Sequence, residues 1–274
     1  MIKVNNEIID IEHFPDGTQR LFLELMRWTP GKYSIDWRYE KEEELSALIY
    51  ITRHLRNDPS TKLVKLKMSY LPNARMDRIH KREEVFTLKG FADVINWLNF
   101  DLVEILDVHS NVTSALINNA IIQTPRPYIR AVIKEIEKDN MDLILYFPDE
   151  GAAKRYSDMF PEYRYCYGEK KRDWDTGKIL GLDIKSNGIN LSGKTILMID
   201  DIISYGGSLY YSANTLKEKG VNKIYAFATH TENSVLDREN GTLIKALENN
   251  TVERLFTTDS IFSKQHEKIT IMGV

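Results

Sequence analysis

The chain has 274 residues, 42% hydrophobic and 28% charged, with 37 Lys and Arg against 40 Asp and Glu for a net charge of −3. That length accommodates one large α/β domain or two smaller ones, each with its own core, and the balance gives no general attraction to nucleic acid. A single cysteine, Cys166, excludes an internal disulfide and suits a reducing compartment.

Acids occur within the first dozen residues, and no stretch approaches the ~20 apolar residues of a membrane span. The expectation is a cytoplasmic protein with neither membrane nor nucleic-acid partners.

In chain order, residues 42–58 place Leu45, Leu48, Ile49, Thr52 and Leu55 on one helical face, with acids at the N-terminal end where the dipole favours them. VKLKM (64–68) alternates like a half-exposed strand. It runs into SYLPNARMDRIHKR (69–82), where Arg75, Arg78, Lys81 and Arg82 cluster. A guanidinium there can hold phosphate oxygens or lie on an aromatic base; a solvated basic loop is the other reading.

A second helix reads from Val85 through Leu88, Phe91, Ala92, Ile95 and Leu98. LVEILDVHS (102–110) is a strand that ends at Asp107 and His109. That histidine is either a metal or phosphate contact or a structural residue; magnesium itself prefers oxygen ligands. QTPRPYIR (123–130), with two prolines, is the candidate linker.

Beyond it the alternation resumes. MDLILYFPDEG is a strand and loop that carries Asp149 and Glu150, AAKRYSDMF a helix, YRYCYG a strand, and GEKKRDWDTGK (168–178) a polar, mobile stretch carrying Lys170, Lys171 and Arg172. Mobile cationic loops can neutralise a transferring phosphoryl group; a plain surface charge run remains open. KTILMIDD (194–201) is a strand that ends in Asp200 and Asp201. The following IISYGGS leads into a helix stopped by Gly220, and NKIYAFATH is a further strand.

In parallel sheets the ligand site lies beyond the carboxyl ends of the strands. Asp200 and Asp201 could accept hydrogen bonds from sugar hydroxyls, while Gly206 and Gly207 let backbone N–H groups approach an anion at the helix N-terminus. Ser208 offers a hydroxyl and a good N-cap. A glycine loop that merely caps a helix beside solvated acids is the alternative. The fold class is α/β: two similar domains, each a mostly parallel sheet flanked by helices. The expected domains are 1–125 and 126–259, with 260–274 a candidate to pack back on the first.

Taken together and in order, these segments resemble the phosphoribosyl pyrophosphate (PRPP) synthetase, or ribose-phosphate pyrophosphokinase, family. FPDGT (14–18) looks like its adenine-binding loop, YLPNARMDR its ATP-binding stretch, DVHS its magnesium-binding histidine segment, and FPDEGAAKR its second metal and ribose segment. EKKR looks like its catalytic loop, IDDIISYGGS its ribose-phosphate loop, and TDSI (258–261) a segment near its C-terminus.

The resemblance implies domains of the type I phosphoribosyltransferase kind, ATP on the first and sugar phosphate on the second. It implies transfer of the β,γ-diphosphoryl group of ATP to the anomeric 1-hydroxyl of ribose 5-phosphate, with release of AMP and with Mg2+ as cofactor. Phe14, Asp16, Arg75, Asp77 and His109 would bind ATP, His109 with Asp149 would hold the metal, and Lys170 and Arg172 would be catalytic. Asp149, Asp200, Asp201 and the loop Ser204, Tyr205, Gly206, Gly207 and Ser208 would bind the sugar phosphate. The family also implies a homo-oligomer, dimer or hexamer, with Phe14 and Asp16 serving a neighbouring subunit.

The chain departs from the family's pattern. The loop has Ser204-Tyr205 where the family usually has Asp-Thr, Thr18 stands for a glutamate, Met76 for a glutamine, and the N-terminal region is short. In this it is similar to divergent phage-encoded members that use ADP-ribose as acceptor and make ADP-ribose 1-pyrophosphate for NAD resynthesis. A catalytically silent regulatory member is a further alternative; a phosphoribosyltransferase would not need the ATP-handling first half.

Overall fold

The computed structural model describes residues 1–23, 31–79, 81–138, 142–172 and 179–274, with the backbone alone for 170–172 and 179–181. It divides into two compact units, Met1–Thr124 and Pro125–Val274.

The first unit runs β1 (Ile2–Val4), β2 (Glu7–Ile9), β3 (Glu12–His13), β4 (Gln19–Arg20), β5 (Lys32–Trp37), α1 (Glu44–Asn57), β6 (Leu63–Met68), α2 (Thr87–Trp97), β7 (Leu102–Leu106), α3 (Val112–Leu116) and β8 (Ala120–Gln123). Its six-stranded sheet has the order β2-β1-β5-β6-β7-β8. β5 through β8 are parallel, and β1 pairs antiparallel with both β2 and β5. β3 and β4 form a separate two-stranded ribbon.

On β6, Val64, Leu66 and Met68 are buried while Lys65 and Lys67 are not, as the alternation predicts. α1 forms where expected but is rotated. It buries Glu44, Ala47, Leu48, Ile51, Thr52 and Leu55, leaving Leu45 and Ile49 only partly covered. Glu44 causes the difference: its carboxylate accepts the Trp37 indole N–H at 3.0 Å and the Glu40 backbone N–H at 2.9 Å. A buried charge needs such partners, and reaching them turns the helix. On α2, Leu88, Phe91, Ala92 and Ile95 are buried as expected, but Val85 precedes the helix and is exposed.

The second unit runs α4 (Arg126–Glu137), β9 (Leu143–Phe147), α5 (Glu150–Tyr156), β10 (Tyr165–Arg172), β11 (Ile179–Lys185), β12 (Thr195–Ile203), α6 (Gly207–Glu218), β13 (Lys223–Thr231), α7 (Leu243–Glu248), β14 (Arg254–Thr258) and β15 (Ile269–Met272). The sheet order is β11-β10-β9-β12-β13-β14-β15, parallel except for the antiparallel β10–β11 pair.

Both faces are covered. Ile144, Tyr146, Ile196 and Met198 pack with α6 and α7, and Leu143, Leu145, Phe147, Leu197 and Ile199 pack with α4 and α5. That double burial is why β9 and β12 read as continuous apolar runs.

Three expectations are corrected here. The junction between the units falls at Thr124/Pro125, inside the expected segment and one residue from the expected boundary, but the linker is shorter than 123–130: α4 starts at Arg126, and Pro127 sits in its first turn, where no N–H is needed. The segment 260–274 belongs to the second unit, because β15 pairs with β14 from Leu255↔Ile269 to Thr258↔Met272 and Phe262 is buried in that core. The backbone of Gly168–Arg172 is not a loop but part of β10, paired with β11; the rest of that stretch, 173–178, lies outside the described residues.

Candidate active site

In the second unit the acid pair lies within β12, which does not end there as expected but runs two residues further, Ile202 and Ile203 pairing with His230 and Thr231 of β13. Alternation along a strand sends neighbours to opposite faces. Asp200 follows Met198 on the α6 side, and Asp201 follows Ile199 on the α5 side. There Arg155 Nη1 lies 3.2 Å from Asp201 Oδ2, and Asp201 is buried. Burial, then the charge of Asp201 and to a lesser degree that of Asp149, hold the Asp200 carboxyl well above the usual carboxylate range. The pair is thus kept close at an energetic cost, a pattern concentrated at functional sites.

The loop after β12 is tightly determined. Gly206 has φ 82°, and a Cβ there would fall 2.3 Å from that of Leu243. Only glycine fits. The Tyr205 carbonyl accepts the Thr242 N–H and hydroxyl, each at 2.9 Å, and Ser204 Oγ lies 3.2 Å from Ser234 Oγ. The first turn of α6 closes from Tyr210 N–H to Gly206 C=O at 3.0 Å. The N–H groups of Gly207, Ser208 and Leu209 therefore stand at the open, positive end of the helix. Ser208 is not the N-cap: Gly206 holds that place, and Ser208 is the second helical residue. The Tyr205 side chain is exposed.

Asp149 follows β9 and caps α5, its Oδ1 accepting the Ala152 N–H at 2.9 Å. The backbone of Lys170 and Arg172 lies on β10, opposite Leu182 and Ile179, with a register shift between Lys171 and Arg172.

In the first unit, Asp77 is buried and held by its neighbour Arg78 through Nε–Oδ1 at 2.8 Å and Nη2–Oδ2 at 3.1 Å. Arg78 foremost, then Ser110 and His109, draw its carboxyl below the ordinary range against the effect of burial. The loops after β6 and β7 therefore meet around Asp77. Asp107 has φ 42°, an unusual value for a residue with a side chain, at the strand end before His109. Arg75 is exposed and His109 half-buried.

On the β3–β4 ribbon Phe14 is exposed and Arg20 sits over the Phe22 ring at 4.5 Å. Asp16 Oδ1 accepts both the Thr18 hydroxyl, at 2.7 Å, and its N–H, at 3.0 Å, which lowers the carboxyl pKa. Thr18 thus fixes Asp16 from within the hairpin.

His109 belongs to the first unit and Asp149 to the second. Among the described residues no three His, Cys, Asp or Glu side chains converge as a self-sufficient metal site. The carboxylates of Asp149 and Asp200, close enough to raise Asp200, are oxygen donors of the kind a hard cation takes while keeping water and phosphate ligands. The residues fit magnesium on that chemistry.

Sequence reasoning missed Arg155, although it lies inside the quoted FPDEGAAKR. It also missed His230, whose Nδ1 lies 2.8 Å from Ser260 Oγ in a buried network at the carboxyl ends of β13 and β14. His230 closes the run NKIYAFATH, so the strand-end logic applied to β12 would have found it.

Residues 187–272 match the family described as phosphoribosyl synthetase-associated domain. The ribose-phosphate pyrophosphokinase of Sulfurisphaera tokodaii is 26% identical over 97% of this chain and 89% of its own length. That of Pyrococcus abyssi is 26% identical over 81% and 75%, and that of Oceanobacillus iheyensis 30% identical over 78% and 66%. Among solved structures, the phosphoribosylpyrophosphate synthetase of Mycobacterium smegmatis aligns with a TM-score of 0.77 at 18% identity, over 97% of this chain and 86% of that one. That likeness shows a common fold.

Proposed function

The chain belongs to the PRPP synthetase, or ribose-phosphate pyrophosphokinase, family, and from that premise we propose that it transfers the β,γ-diphosphoryl group of ATP to the anomeric 1-hydroxyl of ribose 5-phosphate. The new bond joins O1 to the β-phosphorus, the bridge to the α-phosphate breaks, and AMP leaves with that oxygen. The observation that supports this reading most is the end of β12, where two carboxylates precede an obligatory glycine turn and an open helix N-terminus.

The second unit would take the sugar. Asp200 and Asp201 accept hydrogen bonds from the ribose hydroxyls, with Arg155 balancing the charge of Asp201. The backbone from Ser204 through Tyr205, Gly206, Gly207 and Ser208 receives the 5-phosphate on its N–H groups. Lys170 and Arg172 neutralise charge that develops on the transferring group.

The first unit would take ATP. Phe14 packs on adenine and Asp16 bonds its edge with the carboxylate oxygen that Thr18 leaves available. Arg75 contacts the phosphates, and Asp77 holds the Arg78 loop beside His109. Asp149, with Asp200 beside it and phosphate oxygens, would hold Mg2+, which when bound supplies charge neutralisation on the triphosphate; His109 would contact ATP. Positioning carries most of such a reaction, and no dedicated general base is required. In a homo-oligomer, dimer or hexamer, Phe14 and Asp16 would serve a neighbouring subunit.

The test is incubation with ATP, Mg2+ and ribose 5-phosphate, followed by mass analysis. AMP and a ribose 5-phosphate product heavier by a diphosphate are expected; ATP left intact overturns the proposal.

A second reading is favoured by Tyr205, 45% exposed beside the turn. An aromatic ring there suits an acceptor whose 5-phosphate carries a further nucleotide, and ADP-ribose is the candidate. The same assay with ADP-ribose decides between them. If ADP-ribose is the acceptor, Tyr205→Ala lowers kcat/KM for it by about tenfold and leaves ribose 5-phosphate little changed.

A further inference from the structure

Tyr146 carries a hydroxyl into the middle of a packed apolar layer. It is fully buried on β9 beside Ile144, Ile196 and Met198. Phenylalanine would fill the same volume without the cost of burying a phenol oxygen, a cost that hydrogen bonding must offset.

The bonding around it is specific. Tyr146 Oη donates to Ser212 Oγ at 2.7 Å, and Ser212 Oγ donates to the Ser208 carbonyl at 2.8 Å. Each hydroxyl has one proton, so the direction of the relay is fixed from β9 to the first turn of α6. Ser212 is itself buried. On the other side the β10 backbone passes so closely that a Cβ on Gly168 would lie 2.5 Å from Tyr146 Oη and 2.8 Å from the Pro148 carbonyl oxygen. Gly168 stands two residues before Lys170 on that strand. Burial above all, with smaller contributions from Cys166, Asp200 and Asp149, raises the phenol pKa against the Ser212 bond, so the group stays a donor at any physiological pH.

One hydroxyl therefore ties β9 to the first turn of α6 and lies against β10 at Gly168, with Asp200 near enough to act on it. We propose that Tyr146 is a positioning residue that, through Ser212, fixes the Ser208 turn for the phosphate group of the sugar substrate. Being fully buried, it acts without touching substrate. The inference rests on the sugar-phosphate reading of the second unit given above.

The test uses Tyr146→Phe, Ser212→Ala and the double variant of the full chain. Titration with inorganic phosphate probes the turn whatever the acceptor, and steady-state kinetics with ribose 5-phosphate and ATP separate the two substrates. Each single variant is expected to weaken phosphate and raise KM for ribose 5-phosphate by about fivefold to tenfold, with KM for ATP within about twofold. The double variant should be no worse than either single one, because both break the same relay.

Unchanged phosphate affinity in Tyr146→Phe overturns the inference. So does a wild type that binds no phosphate, or a parallel rise in both KM values together with a lower melting temperature, which marks packing alone. A wild type that binds phosphate but neither binds nor turns over ribose 5-phosphate overturns the ribose 5-phosphate assignment instead, and the phosphate titrations still judge Tyr146.

Discussion

Arg155 Nη1 lies 3.2 Å from Asp201 Oδ2, joining a helix that follows β9 to the strand end of β12. Asp201 is buried while Arg155 retains partial exposure, so the cation is the partner that can be removed without leaving a cavity. Arg155→Met takes a cation away from a buried carboxylate. We expect a loss of roughly 2 kcal/mol in unfolding free energy, less than a fully buried pair would show, together with weaker sugar binding. Denaturant melts and ribose 5-phosphate calorimetry check both.

The neighbouring acid gives the opposite sign. Asp200 has an ordinary value near 3.8 and is held well above it in the fold. The folded chain therefore binds more protons there than the unfolded one, so stability falls as pH rises above about 4 and levels off beyond the folded pKa. Asp200→Asn removes this penalty. The variant should match wild type near pH 4 and exceed it at pH 8, while sugar-dependent AMP release is lost. Melting curves across that range are decisive; a variant less stable than wild type at pH 8 contradicts the charge argument.

Gly206 combines φ 82° with contact against Leu243. Gly206→Ala faces both left-handed strain and overlap, so a loss of roughly 2–4 kcal/mol is expected, with weaker phosphate binding. Gly207, where an added Cβ would come no nearer than 3.7 Å to Thr242 Oγ1, is the control. Gly207→Ala should cost less than half as much in the same melts.

The elements easiest to read from sequence were those whose environment is uniform. β9 and β12 are buried on both faces, and β6 on one, so their periodicity transmits directly. Expectation failed where a single polar residue overrode the pattern: Glu44 rotates α1 to reach Trp37. The prolines marked the junction of the units, at Thr124/Pro125, but not how short it is, because Pro125 caps α4 and Pro127 sits in its first turn. β15 is short, and its membership in the second sheet depends on pairing with β14 rather than on its own composition. The acids of β12 were legible because polarity after an apolar run is a local signal, although the strand itself runs on to Ile203. The contacts Arg155–Asp201, Tyr146–Ser212 and His230–Ser260 were not, since each joins segments far apart in the chain.

Lys170 tests the chemical step apart from the binding sites. Its backbone is paired with Leu182 on the β10–β11 hairpin, so the strand survives loss of the side chain. Lys170→Ala should keep the wild-type melting temperature and KM values while lowering kcat by about 10²–10³-fold, the scale of removing one preorganised charge that acts on the transition state. The split matters more than the size of the loss. A rise in KM for ATP with kcat preserved would mean that Lys170 binds nucleotide in the ground state. The stabilisation of the transferring diphosphoryl group would then have to come from Arg172, and Arg172→Ala in the same assay would show the kcat loss instead.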